Sequence, residues 1–279
     1  MTCALGALVF LIEKAKANAP SKPGVRTNNE RGLLLDEELA KRQGERLTER
    51  QRKVIDEVVG LHRWVPEALR GPWEERILTF VDVFTFSSME GKPVTDERKL
   101  PVAAEACLLI VRRPMSDYRL LRRINLWENK IEGAEQAMGT ATAREVNLSW
   151  NYLMRTIGNP RDGQNLILHE FAHVIDFADD GIAQSIPVSR DSSDYEDWKR
   201  LVDEEHDRLM AVYESGKNYA IRAYGGYESI RGDKPEIFSC ATSAFFERGA
   251  RLRRETPRIY SMLKKFYGVD PASWRKQQS

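Results

Sequence analysis

Residues 166–177, LILHEFAHVIDF, are apolar on almost every side of a helical wheel, yet they carry His169, Glu170, His173 and Asp176. A helix that is hydrophobic nearly all round has to be wrapped by the rest of its chain. The segment therefore predicts a central helix with a core built around it. Asn165, His169, His173 and Asp176 follow one another at steps of four, four and three, so they form a single polar stripe along that helix. Two unpaired imidazoles buried there would be costly. A metal ion removes the cost: imidazoles one turn apart, with Cβ atoms ~6 Å from each other, converge on one ion at Zn–N distances of ~2.1 Å. His-Glu-x-x-His is that arrangement, and it sets Glu170 about 100° round the helix from the first imidazole, beside the ion and not on it. A general base belongs in that place.

Composition narrows the partners. The 279 residues are 42% apolar and 30% charged, with 43 basic and 42 acidic side chains mixed along the chain for a net charge of +1. This describes a soluble globular protein without the basic footprint that nucleic acid or an anionic membrane would require. Cys3, Cys107 and Cys240 are odd in number, far apart and in no ligand spacing, which points to a reducing compartment. The apolar run TCALGALVFLI has no Lys or Arg before it and is interrupted by Glu13, Lys14 and Lys16. It is also shorter than the ~20 residues that span a bilayer. It reads as the first helix of a cytoplasmic protein, packed on the body, and not as an export signal.

Residues 18–32, NAPSKPGVRTNNERG, have linker composition, so residues 1–32 form an N-terminal segment and linker, followed by one domain over 33–279. Charged amphipathic helices fill 33–70, RILTFVDVFTF reads as helix or strand, and the VTDE pattern opens a helix through LPVAAEACLLIVRR. RLLRRINLW and AREVNLSW alternate as strands do, and the Gly/Ala-containing segment between them suggests an antiparallel pair. The chain is helical again from residue 160. The expected fold is thus α+β, predominantly helical, with a small antiparallel sheet and the His-Glu-x-x-His helix at its centre.

A catalytic zinc needs a third protein ligand and an open position for water. Two residues compete for that role. Asp179 stands where the His-x-x-Gly-x-x-His continuation of a metzincin would place a ligand, but Asp176 replaces the glycine turn. Glu236 opens the helix PEIFSCATSAFFE, whose Cys240, Ser243 and Ala244 are small enough to let it approach the zinc helix. Glu236 also has a plain alternative as the N3 residue of an Asp233-x-x-Glu capping box.

VTDE, AAEACLL, VNLSW, PRDGQNLILHEFAHVIDF, IRAYG, PEIFSCATSAFFER and KFYGVDP stand in the order found in the Mlc titration factor A (MtfA) family of zinc metallopeptidases, and over roughly residues 60–275 the chain resembles that family. The resemblance implies a gluzincin-type zinc site on a zincin-like domain similar to the catalytic domain of anthrax lethal factor. It makes His169 and His173 the paired ligands, Glu236 the third ligand and Glu170 the base. It also implies a transition-state tyrosine at Tyr224, with Tyr227 as the alternative because GYESIRGDK lengthens the segment before the glutamate. By resemblance the activity is hydrolysis of short peptides, as an aminopeptidase, and a partner is a glucose-responsive repressor of the Mlc type that the protein sequesters. Asp176 is placed to orient an imidazole, and the strand REVNLSW to receive a substrate backbone by strand addition.

Overall fold

The computed structural model describes residues 27–134, 136–226 and 234–274. Its first two helices are set by their caps. The Thr27 hydroxyl accepts from the Glu30 amide while the Glu30 carboxylate accepts from the Thr27 amide, which starts α1 (Asn28–Lys41); Thr48 and Gln51 do the same for α2 (Glu49–Val58). Residues 28–32, assigned above to the linker, are therefore helix. Helix α3 (Glu67–Val83) runs directly into β1 (Thr85–Ser88), so RILTFVDVFTF is helix first and strand at its end. The VTDE pattern starts α4 (Asp96–Leu109) with Thr95 at the N-cap, although its hydroxyl makes no capping hydrogen bond.

Three further strands, β2 (Arg123–Trp127), β3 (Gly139–Ala141) and β4 (Glu145–Ser149), complete a four-stranded sheet of order β1-β2-β4-β3. The two strands expected from sequence are present, but their relation is corrected. β2 and β4 pair in parallel, Arg123 opposite Glu145 through Trp127 opposite Ser149, and β1 joins β2 in parallel as well. The antiparallel pair is β3 with β4. The connection between β2 and β4 is long enough for a crossover and spends its last part on β3, whose three-residue turn into β4 makes the hairpin. The sheet is mixed, and β4 is interior.

The remaining helices are α5 (Trp150–Ile157), α6 (Leu166–Phe177), α7 (Tyr195–Glu214), α8 (Glu236–Glu255), α9 (Pro257–Tyr267) and α10 (Pro271–Trp274). Every residue of α6 is buried, as its apolar surround predicts. It packs on α8, α4 and α5 and against β3 and β4, and one contiguous core extends from Leu35 to Trp274. Phe171 leaves α6 on the side away from the histidines and meets Phe80 and Tyr118, with ring centroids 5.7 and 5.5 Å apart. Among the described residues no helix is long and apolar enough to cross a membrane. The N-terminal apolar run lies outside the described residues.

Candidate metal centre

The polar stripe of α6 divides by position. Asn165 is its N-cap, with Oδ1 accepting from the Leu168 amide at 3.1 Å. One and two turns on, His169 and His173 stand with their rings nearly perpendicular, centroids 4.9 Å apart. Their Nε2 atoms lie 3.1 and 3.3 Å from one oxygen, Oε2 of Glu236. The carboxylate arrives from α8, where Glu236 is the first helical residue after the N-cap Pro235. It is therefore not the N3 member of a capping box, and Asp233 lies outside the described residues. A carboxylate at that point also faces the positive end of the α8 dipole.

Ser185 fixes the approach of α8. Its backbone, at φ 63°, lies in the left-handed region that non-glycine residues seldom occupy. Three hydrogen bonds hold it: the Ser185 amide donates to Asp176 Oδ2 at 2.7 Å, its hydroxyl donates to the Lys234 carbonyl at 2.6 Å, and the Phe238 amide donates to that hydroxyl at 2.9 Å. Asp176 Oδ2 also accepts from the Gln184 amide, while Oδ1 is buried without a hydrogen-bond partner. Asp176 thus ties the loop after α6 to the start of α8, and its charge also acts on the His173 imidazole one turn before it. Asp179 is exposed beyond the end of α6 and stands outside the group of three donors.

The donor set fits a divalent ion. One ligand atom each from His169, His173 and Glu236 lie within 4.8 Å of one another. Two donors held ~2.1 Å from one tetrahedral ion are ~3.4 Å apart, close to the two Nε2–Oε2 spacings. Glu236 Oε1 is buried with no hydrogen-bond partner, which a cation would supply. Burial pulls the His169 imidazole down to about 4. For His173 the attraction and hydrogen bond of Glu236 outweigh burial, and the imidazole rises to about 9. Glu236, against the cost of burial, is held well below the usual carboxylate range by the two imidazoles.

Glu170 leaves α6 toward the sheet edge. A Cβ on Gly139 of β3 would come within 2.5 Å of Glu170 Oε1 and 2.8 Å of its Cδ, so the carboxylate occupies space that only glycine leaves open. Burial pushes this carboxyl up to about 8. Glu170, His169, Tyr224, Tyr152, Arg222, Leu166, Gln164 and residues 136–139 line a cavity of about 260 Å³. The Tyr224 ring lies 6.0 Å from that of His169, and Tyr227 falls outside the described residues. The strand bordering the cavity is β3, an edge strand of the sheet among the described residues, and not the interior β4, which corrects the position expected for strand addition. Behind His169, Cys240 Sγ is 3.9 Å from Nδ1, a buried thiol pushed up to about 12 by desolvation. Gly139, Ser185 and Arg222 were not singled out by the sequence reading; a glycine inside a strand signals close approach, whereas nothing local marks Ser185.

A family model described as glucose-regulated metallo-peptidase M90 matches residues 35–268, beginning well before the residue 60 at which the sequence resemblance starts. An uncharacterised protein of Synechocystis sp. is 26% identical over 214 residues, which cover 71% of this chain and 76% of the relative.

Proposed function

The chain belongs to the glucose-regulated metallopeptidase family M90, the MtfA family, and on that premise we propose that it hydrolyses peptide bonds with a zinc ion held by His169, His173 and Glu236. The observation that carries this reading is the convergence of three buried donors from two helices beside a fourth buried group, Glu170, that faces the cavity. A bound ion would supply Lewis acidity, lowering the pKa of water and polarising a scissile carbonyl. Glu170 takes the proton that the attacking water gives up and delivers it to the leaving amine. Gly139 leaves the room in which that carboxylate swings between the two. Tyr224, which lines the same cavity as Glu170, donates a hydrogen bond from its hydroxyl to the developing oxyanion, and the edge strand β3 aligns the substrate backbone. In this gluzincin-type arrangement α6 and α8 each contribute to one site, so the packing of two helices sets its geometry.

An aminopeptidase preference requires an acidic group to hold a free α-amine. Among the described residues that line the cavity, Glu170 is the one acidic side chain, and it is assigned to proton transfer. The aminopeptidase preference on short peptides stays part of the proposal, and it is read from which end of a peptide is shortened. The test is a peptide-library digest by the zinc-loaded wild type and by Glu170→Gln, read by mass spectrometry. Cleavage by the wild type that disappears in the variant is expected; equal cleavage by both would remove Glu170 as the base, and none by either would remove the peptidase reading.

The family's description as glucose-regulated supports a second role, sequestration of a glucose-responsive repressor through protein contact. Binding of the Mlc repressor that survives in Glu170→Gln would separate that role from proteolysis; absence of binding by both proteins would discard it.

A further inference from the structure

The half-buried arginines of this protein direct their donors to carboxylates or to main-chain carbonyls. Arg98 takes Glu128, Arg113 takes Asp117, Arg251 takes Glu255, and Arg31, Arg76 and Arg248 take carbonyl oxygens. Arg222 does neither. Its Nη2 stands 3.4 Å from His169 Nδ1 and 3.9 Å from Cys240 Sγ, both weak neighbours for a full positive charge, and its Nε is buried without a hydrogen-bond partner, as are Nε of Arg31 and Arg76 and Nη1 of Arg98. No carboxylate forms an ion pair with it among the described residues. The side chain lines the cavity beside His169, Glu170, Tyr152 and Tyr224. Against the cost of burial, Cys240, Tyr152 and Glu236 favour its charge, yet no side-chain carboxylate takes its donors among the described residues, so they stay open to an anion that a ligand brings into the cavity. A guanidinium also matches a carboxylate in shape, with two parallel donors.

We propose that Arg222 makes the cavity select substrates that place a carboxylate beside the scissile bond, either the free C-terminus of a short peptide or an Asp or Glu side chain. The assignment rests on the peptidase reading above and names the class of peptide that site takes. The cavity is small, at about 260 Å³, below the ~300 Å³ at which pockets for drug-sized ligands begin, so the recognised group lies within a residue or so of the bond.

The experiment measures binding and hydrolysis separately. Binding is followed by calorimetry on zinc-loaded Glu170→Gln protein with two probe pairs: trialanine against trialanine amide, and Ala-Glu-Ala amide against Ala-Gln-Ala amide. The expected result is a preference for the acid of about tenfold or more in at least one pair, the gain from one hydrogen-bonded charge. The pair that shows it identifies the source of the carboxylate. Adding Arg222→Met should reduce that preference to within about twofold, and Arg222→Lys should restore part of it, with folding of both checked by circular dichroism. Equal binding of acid and amide in both pairs, or an acid preference that persists in Arg222→Met, overturns the assignment. Wild-type hydrolysis of the same peptides keeps the two readings apart. Acid-selective binding without hydrolysis would sink the peptidase reading alone, and hydrolysis indifferent to charge, with indifferent binding, would sink Arg222 alone.

Discussion

Helix α6 has a buried acidic cluster at each end of its first two turns, and the two differ in what faces the acids. On the C-terminal side, Glu236 meets two imidazoles and is held ionised. On the N-terminal side, Glu105 of α4 and Glu247 of α8 converge near Asn165, and among the described residues no cation acts on Glu105. Both Glu105 oxygens are buried without a hydrogen-bond partner, although the Asn165 amide is their polar neighbour. Burial pushes Glu105 up to about 8, and burial with the Glu105 and Asp162 charges raises Glu247 well above the ordinary range. Depth alone therefore does not make a metal site. A buried carboxylate keeps its charge, and so stays able to hold a cation, where a positive partner is built in beside it; elsewhere it takes up a proton and becomes a neutral polar group.

The same Glu→Gln change at three buried positions breaks this comparison apart. Glu236→Gln should have the largest effect, because an amide binds zinc poorly and leaves two imidazoles as the whole ligand set. Metal analysis after dialysis should show well below one ion per chain, with turnover lost; a full complement of zinc would reject Glu236 as third ligand. Asp179→Ala should keep its ion. Glu170→Gln should retain zinc and lose about 10²–10⁴ in turnover, the usual worth of a positioned base. Unchanged kcat in a zinc-loaded sample would contradict that role.

A smaller loss tests the space around Glu170. In Gly139→Ala the new methyl would come within 2.8 Å of the carboxylate carbon, so the side chain has to turn or β3 has to shift. Misplacing a catalytic group by ~1 Å costs on the order of a hundredfold, and we expect a drop of roughly ten- to a hundredfold in kcat with zinc content unchanged. Wild-type kcat would show that Glu170 works from another position.

The contrast between the clusters also explains how much could be read from the sequence. The grouping of His169 with His173, and the place of Glu170 beside them, were legible because both follow from helical spacing within twelve residues. The pairing of α6 with α8 was foreshadowed by small residues such as Ser243, whose hydroxyl reaches the Asn165 carbonyl at 3.3 Å. The parallel register of β2 with β4 was not legible, because alternation marks a strand without fixing its direction. Ser185 at positive φ, and the meeting of Glu105 with Glu247 from helices more than a hundred residues apart, arise only when the chain closes on itself. The start of α1 was hidden for a different reason: the Pro- and Gly-rich surroundings of TNNE outweighed a capping box that lies in plain view.

The smallest effect belongs to the N-terminal cluster. Glu105→Gln replaces a group that is already neutral near pH 5 with a neutral group of the same shape, so stability there should change by less than about 1 kcal/mol. The difference should grow with pH. In the folded protein the Glu105 carboxyl is raised from 4.5 to about 8, so its protonated form is favoured by folding. The stability it contributes is fully present below pH 4.5, is eroded as the unfolded chain ionises above that pH, and is gone once the folded group ionises near 8. The wild type should therefore lose stability between about pH 5 and 8, and Glu105→Gln should flatten that decline, becoming the more stable protein at pH 9 by up to a few kcal/mol. Zinc content and turnover should stay at wild-type levels, because Glu105 touches neither the histidines nor the cavity. Urea unfolding of both proteins at pH 5, 7 and 9 reads the effect directly. Parallel pH profiles would mean that Glu105 is ionised in the folded state and that the cluster has found a cation after all.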